Sequence, residues 1–336
     1  VKAREDKIGD RVRRVTELVQ AGELSRAAAA VWPQADMADA QAAVTKFNQT
    51  QTPDPPVAGQ ADAMKTDQDE GVSGTGDAPG ALAPPGAGPA ELRCRVANHL
   101  KTQFGRFPRR GGAGPGGGRY EHWAPLKHDE EGAAAVASTL ARLAAGALPG
   151  RALAALTAAR LAGIPKAKQG EIRILGCGGV ARRMVGRSAA KVYHADLRAA
   201  AGEQQFGLAK DGCGALHRRL CTLANARPGT WVMGTDLTDA FSNIPRDHVK
   251  KSVKKKVPAL SPLAKAWLPT RTSHVAGGRA SPASLVTQVN GLDQGCPMSP
   301  GFYSVATSDD LKLGREAVRK GDEKGDCLAF LDDTYL

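Results

Sequence analysis

The sequence predicts an α+β fold in which short acidic strands are framed by amphipathic helices. Three observations predict it. The run Cys327-Leu-Ala-Phe-Leu-Asp-Asp-Thr-Tyr-Leu336 is apolar except for adjacent carboxylates at Asp332 and Asp333. Upstream, Thr230-Trp-Val-Met-Gly-Thr-Asp236 is a second strand-like run that ends abruptly on a carboxylate. Between and ahead of these runs, apolar residues recur at helical spacing.

Apolar, aromatic-containing runs of this length read as buried strands. Carboxylates are rarely fully buried unless they are paired or bound to a cation, so the Asp332-Asp333 pair either makes the turn of a hairpin or faces a metal. If the two runs pair side by side, Asp236 and Asp332 converge at one end of a sheet. Hard oxygen ligands suit magnesium best. Two such ions, about 3.5–4 Å apart, clamp the attacking and leaving oxygens of a phosphoryl displacement.

The 336-residue chain has length for two or three domains. Its 46 Lys and Arg against 34 Asp and Glu give a formal net charge of +12, which favours polyanionic partners. The six cysteines, Cys94, Cys177, Cys213, Cys221, Cys296 and Cys327, form no C-x-x-C pair and have no His at zinc spacing. They read as reduced thiols of an intracellular protein, nuclear or cytoplasmic. No run approaches the roughly 20 apolar residues that span a bilayer, and the N-terminus lacks a hydrophobic signal core. The chain begins with Val, which reads as a fragment or a processed product.

Taken in order, residues 1–48 carry a helical pattern (Ile8, Val12, Val15, Leu18, Val19) broken near Gly22 and Pro33. Residues 49–90 shift to Pro, Gly, Ala, Asp and Thr, a composition that buries too little surface to offset ordering and predicts a disordered linker. Residues 91–110 return to helical periodicity. The glycine-rich run from Gly111 to Gly118 lacks the Gly-Lys-Ser/Thr of a Walker loop and is either a turn or a backbone-lined loop near phosphate. Ala133 to Leu161 is helical by propensity. Gly163-Ile-Pro-Lys166 to Arg173-Ile-Leu175 reads as strand, turn, strand, either a solvated hairpin or one whose Lys166 and Arg173 reach for phosphate. Val180 to Leu197 is a basic helix bearing Arg182, Arg183, Arg187 and Lys191, suited to a phosphate backbone or to solvent. A lysine-rich helix follows Pro245, and residues 273–289 hold two β-like stretches. Ser299-Pro300 is a helix start, Ser as N-cap and Pro at the first helical position. His122, His128 and His194 stand apart from one another and from any Cys pair.

Three of these segments carry a family resemblance. Asp236-Leu-Thr-Asp-Ala-Phe241 resembles the first catalytic motif of reverse transcriptases, an Asp followed four and five positions later by Ala and an aromatic residue. Phe330-Leu-Asp-Asp333 resembles their aromatic-x-Asp-Asp signature. Gly291 to Pro300 resembles the intervening Gly-x-x-Gln-Gly-x-x-x-Ser-Pro motif. In this order they are most similar to the reverse transcriptases of non-LTR, LINE-type retrotransposons. Glu203-Gln-Gln-Phe-Gly207 resembles the Gln-Phe-Gly element between fingers and palm.

The resemblance implies right-hand polymerase architecture: fingers and the first part of a palm over 91–230, and a ferredoxin-like palm sheet with helices over 231–336. It implies a thumb absent from this chain and a catalytic hairpin held without its usual neighbours. Asp236, Asp332 and Asp333 are the implied ligands of two Mg2+ ions, assisted by the Leu237 carbonyl. Lys166 and Arg173 are the implied grips on the dNTP triphosphate, although the Pro that the family more often has after this Arg is missing at Ile174. Phe241 is the implied ring beneath the sugar that excludes a 2′-hydroxyl, a role compatible with core packing. Gln294 and Gly295 are the implied contacts to nucleotide or template. The implied partners are an RNA template, a DNA primer and dNTP. A catalytically inactive nucleic-acid-binding relic is the alternative; an RNA-dependent RNA polymerase is disfavoured by Phe241 and by Phe330-Leu331 before the Asp pair.

Overall fold

The computed structural model describes residues 40–51, 88–108, 111–165, 172–227, 229–276 and 284–336. Most of the predicted N-terminal helices, nearly all of the predicted linker and the Lys166 turn lie outside the described residues. Helices α1 (Ala40–Gln51) and α2 (Pro89–Lys101) flank that linker. Then come α3 (Glu130–Ala144), α4 (Gly150–Thr157), β1 (Ala159–Pro165) and β2 (Ile172–Gly178). Helices α5 (Val180–Val192), α6 (His194–Ala201) and α7 (Gly212–Ala226) lead to β3 (Gly234–Thr235) and α8 (Ala240–Asn243). The remaining elements are α9 (Arg246–Lys256), α10 (Ser261–Trp267), β4 (Thr272–Ala276), β5 (Ser284–Gln288), α11 (Ser299–Gly321), β6 (Leu328–Phe330) and β7 (Asp333–Tyr335).

The helices and strands form a mixed fold with two sheets. A four-stranded sheet runs β2-β1-β4-β5; β1 is antiparallel to β2 and parallel to β4, and β4 is antiparallel to β5. A three-stranded antiparallel sheet runs β3-β7-β6. The main core joins Leu92, Val96 and Leu100 of α2 to Met184 of α5, Trp267 of α10 and Phe302 of α11. A smaller cluster seats Phe47 of α1 on Leu161, Ala276 and Val286 of the four-stranded sheet.

Several expectations are corrected in detail. The single helix expected over 133–161 breaks at Gly146, whose φ of 67° favours glycine, and at Pro149, so that β1 begins at Ala159. The strand expected from Thr230 shrinks to Gly234–Thr235, because Trp231, Val232 and Met233 have no apolar layer to cover them and Trp231 is 93% exposed. The two acidic runs do pair side by side, antiparallel through β3 and β7, with β7 lying between β6 and β3 and Asp332 in the turn that precedes it. Ser299 is not the N-cap of α11. Met298 holds that position, and the Ser299 hydroxyl donates instead to the Asp293 carbonyl at 2.8 Å.

The glycine-rich run is a packed turn on the end of the four-stranded sheet. A Cβ at Gly114 would stand 2.5 Å from the Gly178 carbonyl oxygen, and the Arg160 Nε donates to the Ala113 carbonyl. The basic helix α5 splits its arginines. Arg187 is exposed, whereas Arg182 is buried and Arg183 lies over the Tyr120 ring.

Candidate active site

The hairpin that carries Asp332 is held from below by two glutamines. Phe330 pairs with Asp333, leaving Leu331 and Asp332 as a two-residue turn. Leu331 adopts φ 57°, a left-handed conformation uncommon for a branched side chain. The buried Gln205 amide over-determines it: its Oε1 accepts from the Leu331 N–H at 2.7 Å and its Nε2 donates to the Leu331 carbonyl at 3.1 Å. Gln204 donates to the carbonyls of Leu311 and Cys327, and its own carbonyl accepts from Ala329. The hairpin expected to lack support is therefore tied along its length to the segment after α6.

Asp236 reaches the same place from the other side of β7. Gly234 pairs with Tyr335 and Thr235 with Thr334, so the next position along β3 continues towards Asp333. Burial and the nearby charges of Asp332 and Asp236 push the Asp333 carboxyl above its ordinary range. Burial, Asp332 and Asp310 push the Tyr303 hydroxyl up to about 12. Among the described residues none of the three carboxylates has a Lys or Arg ion-pair partner, a donor set that fits a hard divalent cation. Nor are the three drawn into a ligand shell: among the described residues no group of three His, Cys, Asp or Glu is placed to hold a metal ion.

Asp239, three residues on, has φ 48° and forms an ion pair with Lys46 of α1 at 3.4 Å. It opens α8, whose Phe241 stacks on Tyr303 with centroids 4.6 Å apart. Leu237 is exposed.

The loop from Gly291 to Cys296 closes the site. Gly291 has φ 79°, and a Cβ there would strike the Ser242 backbone. Gly291 and Leu292 donate to the carbonyls of Ile244 and Phe241, tying the loop to α8 and its C-cap. Gly295 lies so close to the Gly176 carbonyl on edge strand β2 that no side chain fits. The result is an open cavity of about 290 Å³ lined by Arg173, Phe241, Gln294, Cys296, Leu331 and Asp332 among others.

Four of the residues singled out in the sequence, Arg173, Phe241, Gln294 and Asp332, thus share one cavity. Asp236 and Asp333 stand beside it on the three-stranded sheet, Gly295 shapes its wall, and Lys166 lies outside the described residues. Sequence reasoning missed Gln205 as a clamp, Tyr303 as the support of Phe241, and His274, a fully buried histidine, while His122, His128 and His194 are exposed. The signal for His274 was its place in a β-like stretch, alternating with Thr272 and Ala276 on the buried face.

A comparison with curated proteins returns no match. Residues 164–336, slightly more than half of the chain and including every acidic and cavity residue described above, match the family described as reverse transcriptase (RNA-dependent DNA polymerase), and the chain belongs to that family.

Proposed function

We propose that this chain extends a DNA primer on an RNA template, as the polymerase of a non-LTR, LINE-type retrotransposon. Membership of the family makes it an RNA-directed DNA polymerase, a nucleotidyltransferase, by resemblance. The observation that carries the reading is the meeting of Arg173, Phe241, Gln294 and Asp332 around one open cavity beside Asp236 and Asp333.

In the reaction the primer 3′-oxygen bonds to the α-phosphorus of a dNTP, the bond to the bridging oxygen breaks, and pyrophosphate leaves. Positioning and charge neutralisation supply most of the acceleration. Asp236, Asp332 and Asp333, with the Leu237 carbonyl, would hold two magnesium ions. When bound, these would lower the charge on the reacting oxygens. Arg173, with Lys166 from the adjoining turn, grips the triphosphate through charge-assisted hydrogen bonds. Phe241, braced on Tyr303, presents its edge to the sugar and leaves no space for a 2′-hydroxyl. Gln294 presents its amide to the base or template. The exposed Lys251, Lys254 and Lys255 of α9 add sequence-independent attraction to the nucleic-acid backbone.

The test is incorporation of labelled dTTP on a poly(A) template with an oligo(dT) primer and magnesium, comparing this chain with its Asp332→Ala variant. Incorporation that disappears in the variant is the expected result. Equal, salt-sensitive template binding by both proteins with no incorporation by either would overturn the proposal.

A further inference from the structure

The residue before Gln294 has an environment that the polymerase chemistry does not use. Asp293 is almost fully buried, and each of its carboxylate oxygens meets a donor from a different part of the fold. Oδ2 accepts from Arg182 Nη1 of α5 at 2.7 Å. Oδ1 faces His274 Nε2 of β4 at 3.2 Å. The Arg182 guanidinium also donates to the Thr157 carbonyl and lies over the Trp267 ring, so its direction is fixed independently of Asp293.

The protonation state of His274 follows from its partners. Its Nδ1 accepts from the Ala159 backbone N–H at 2.9 Å, so that nitrogen carries no proton. The proton sits on Nε2, shared between Gln288 Oε1 at 2.6 Å and Asp293 Oδ1. Asp293 therefore faces a donor on both sides. Only a carboxylate offers an acceptor to each, since an amide turned either way sets its NH2 against one of them.

The same residue fixes the loop backbone. Its carbonyl accepts from the Ser299 hydroxyl and from the Cys296 N–H, and its side chain fills the space over Gly176, where a Cβ would stand 2.9 Å from Oδ1. Upstream, Arg246 donates to the Gly291 carbonyl, to Thr272 and to the Gln288 carbonyl. Phe47 of α1 covers His274 edge-on at 5.9 Å. One side chain thus ties the loop bearing Gln294 to α5, to the four-stranded sheet and to the start of α11.

We infer that Asp293, held between Arg182 and the neutral His274, is a positioning residue that sets how Gln294 meets the incoming nucleotide. The inference rests on the proposed polymerase function and names a residue that acts through Gln294 without touching substrate.

The experiment is a double-mutant cycle with Asp293→Asn and Gln294→Ala. It is read by steady-state incorporation of dTTP and by equilibrium binding of a fluorescent dTTP analogue in magnesium, with thermal unfolding to verify folding. Asp293→Asn should raise KM for dTTP and the analogue Kd about 10-fold, with kcat within about 3-fold. In the Gln294→Ala background the same substitution should cost less than about 2-fold, because coupled residues do not add. A merely structural role would lower the active fraction, and therefore kcat, and leave KM unchanged. Additive effects, or a loss confined to kcat, would overturn the inference while leaving the polymerase reading intact. Absence of both nucleotide binding and incorporation in the unmodified protein would overturn the two together. If Asp293→Asn does not fold, Arg182→Lys, which keeps the charge but loses the planar fork, enters the cycle in its place with the same expected coupling.

Discussion

Gln205 and Leu331 are 126 positions apart in the chain and hydrogen-bonded twice, so that the side-chain amide of one takes the place of a strand neighbour for the other. Because Leu331 is in the left-handed region, its peptide groups face away from the ladder and need such a partner. Gln205→Ala leaves a half-buried N–H and carbonyl without their partner, at a cost of about 0.5–1.5 kcal/mol for each hydrogen bond. The expected result is a Tm lower by several degrees and incorporation lower by about 10²-fold, the loss that goes with displacing a reacting group by about 1 Å. A scanning calorimeter and the primer-extension assay read the two effects separately; unchanged incorporation would show that the clamp has no bearing on Asp332.

The sugar-selecting role proposed for Phe241 can be read directly. Replacement by Val shortens the side chain above the Tyr303 ring and should lower discrimination between dTTP and UTP by about 10–100-fold, the range that apolar pocket contacts supply. Phe241→Tyr should leave the ratio nearly unchanged. The ratio of kcat/KM values for the two nucleotides is the measurement, and an unaltered ratio in Phe241→Val would confine the residue to packing.

Arg173 is exposed on the edge strand and lines the cavity. A hydrogen bond to a charged group contributes about 1.5–3 kcal/mol, so Arg173→Ala should raise KM for dTTP by about 10–100-fold with a smaller change in kcat. Raising the salt concentration should weaken nucleotide binding less in the variant than in the parent. Equal KM values would remove Arg173 from the phosphate site.

Asp333 makes a prediction about pH. Its folded pKa is raised, so its contribution to stability is fully present below the ordinary carboxylate value and is lost as pH rises through the raised value. At neutral pH the charged group is a small liability, and Asp333→Asn should raise Tm by about 1–2 °C, as expected of a largely exposed side chain. The same substitution should remove incorporation. Added magnesium favours the ionised form, so the acidic limb of the rate profile should move to lower pH as its concentration rises; a limb independent of magnesium would speak against Asp333 as a ligand.

How much of this was legible in the sequence depended on whether a residue's partner was near it in the chain. The hairpin of β1 and β2, the two stretches that become β4 and β5, and α11 follow from local periodicity and turn residues. Asp236, Asp332, Phe241 and Gln294 are legible because motif spacing reports them directly. Asp293, inside the same motif, is not legible from spacing, since its partners are Arg182, 111 positions away, and His274 on a separate strand. The strand expected at Trp231 does not form, because an apolar run does not declare whether anything covers it. Arg182 looked like a surface cation for the same reason, its burial being decided by Trp267 and Asp293.

The helices outside the matched residues change what counts as the heritable unit. Residues 164–336 carry the recognisable motifs, yet Trp267 donates its indole N–H to the Leu143 carbonyl, α2 fills the main core, and Lys46 reaches Asp239. A cassette excised at the boundaries of the motif block and moved into another gene would carry its motifs and leave behind the α2 and α3 share of its own interior. A break point that keeps this interior whole therefore lies ahead of α2, far upstream of Asp236.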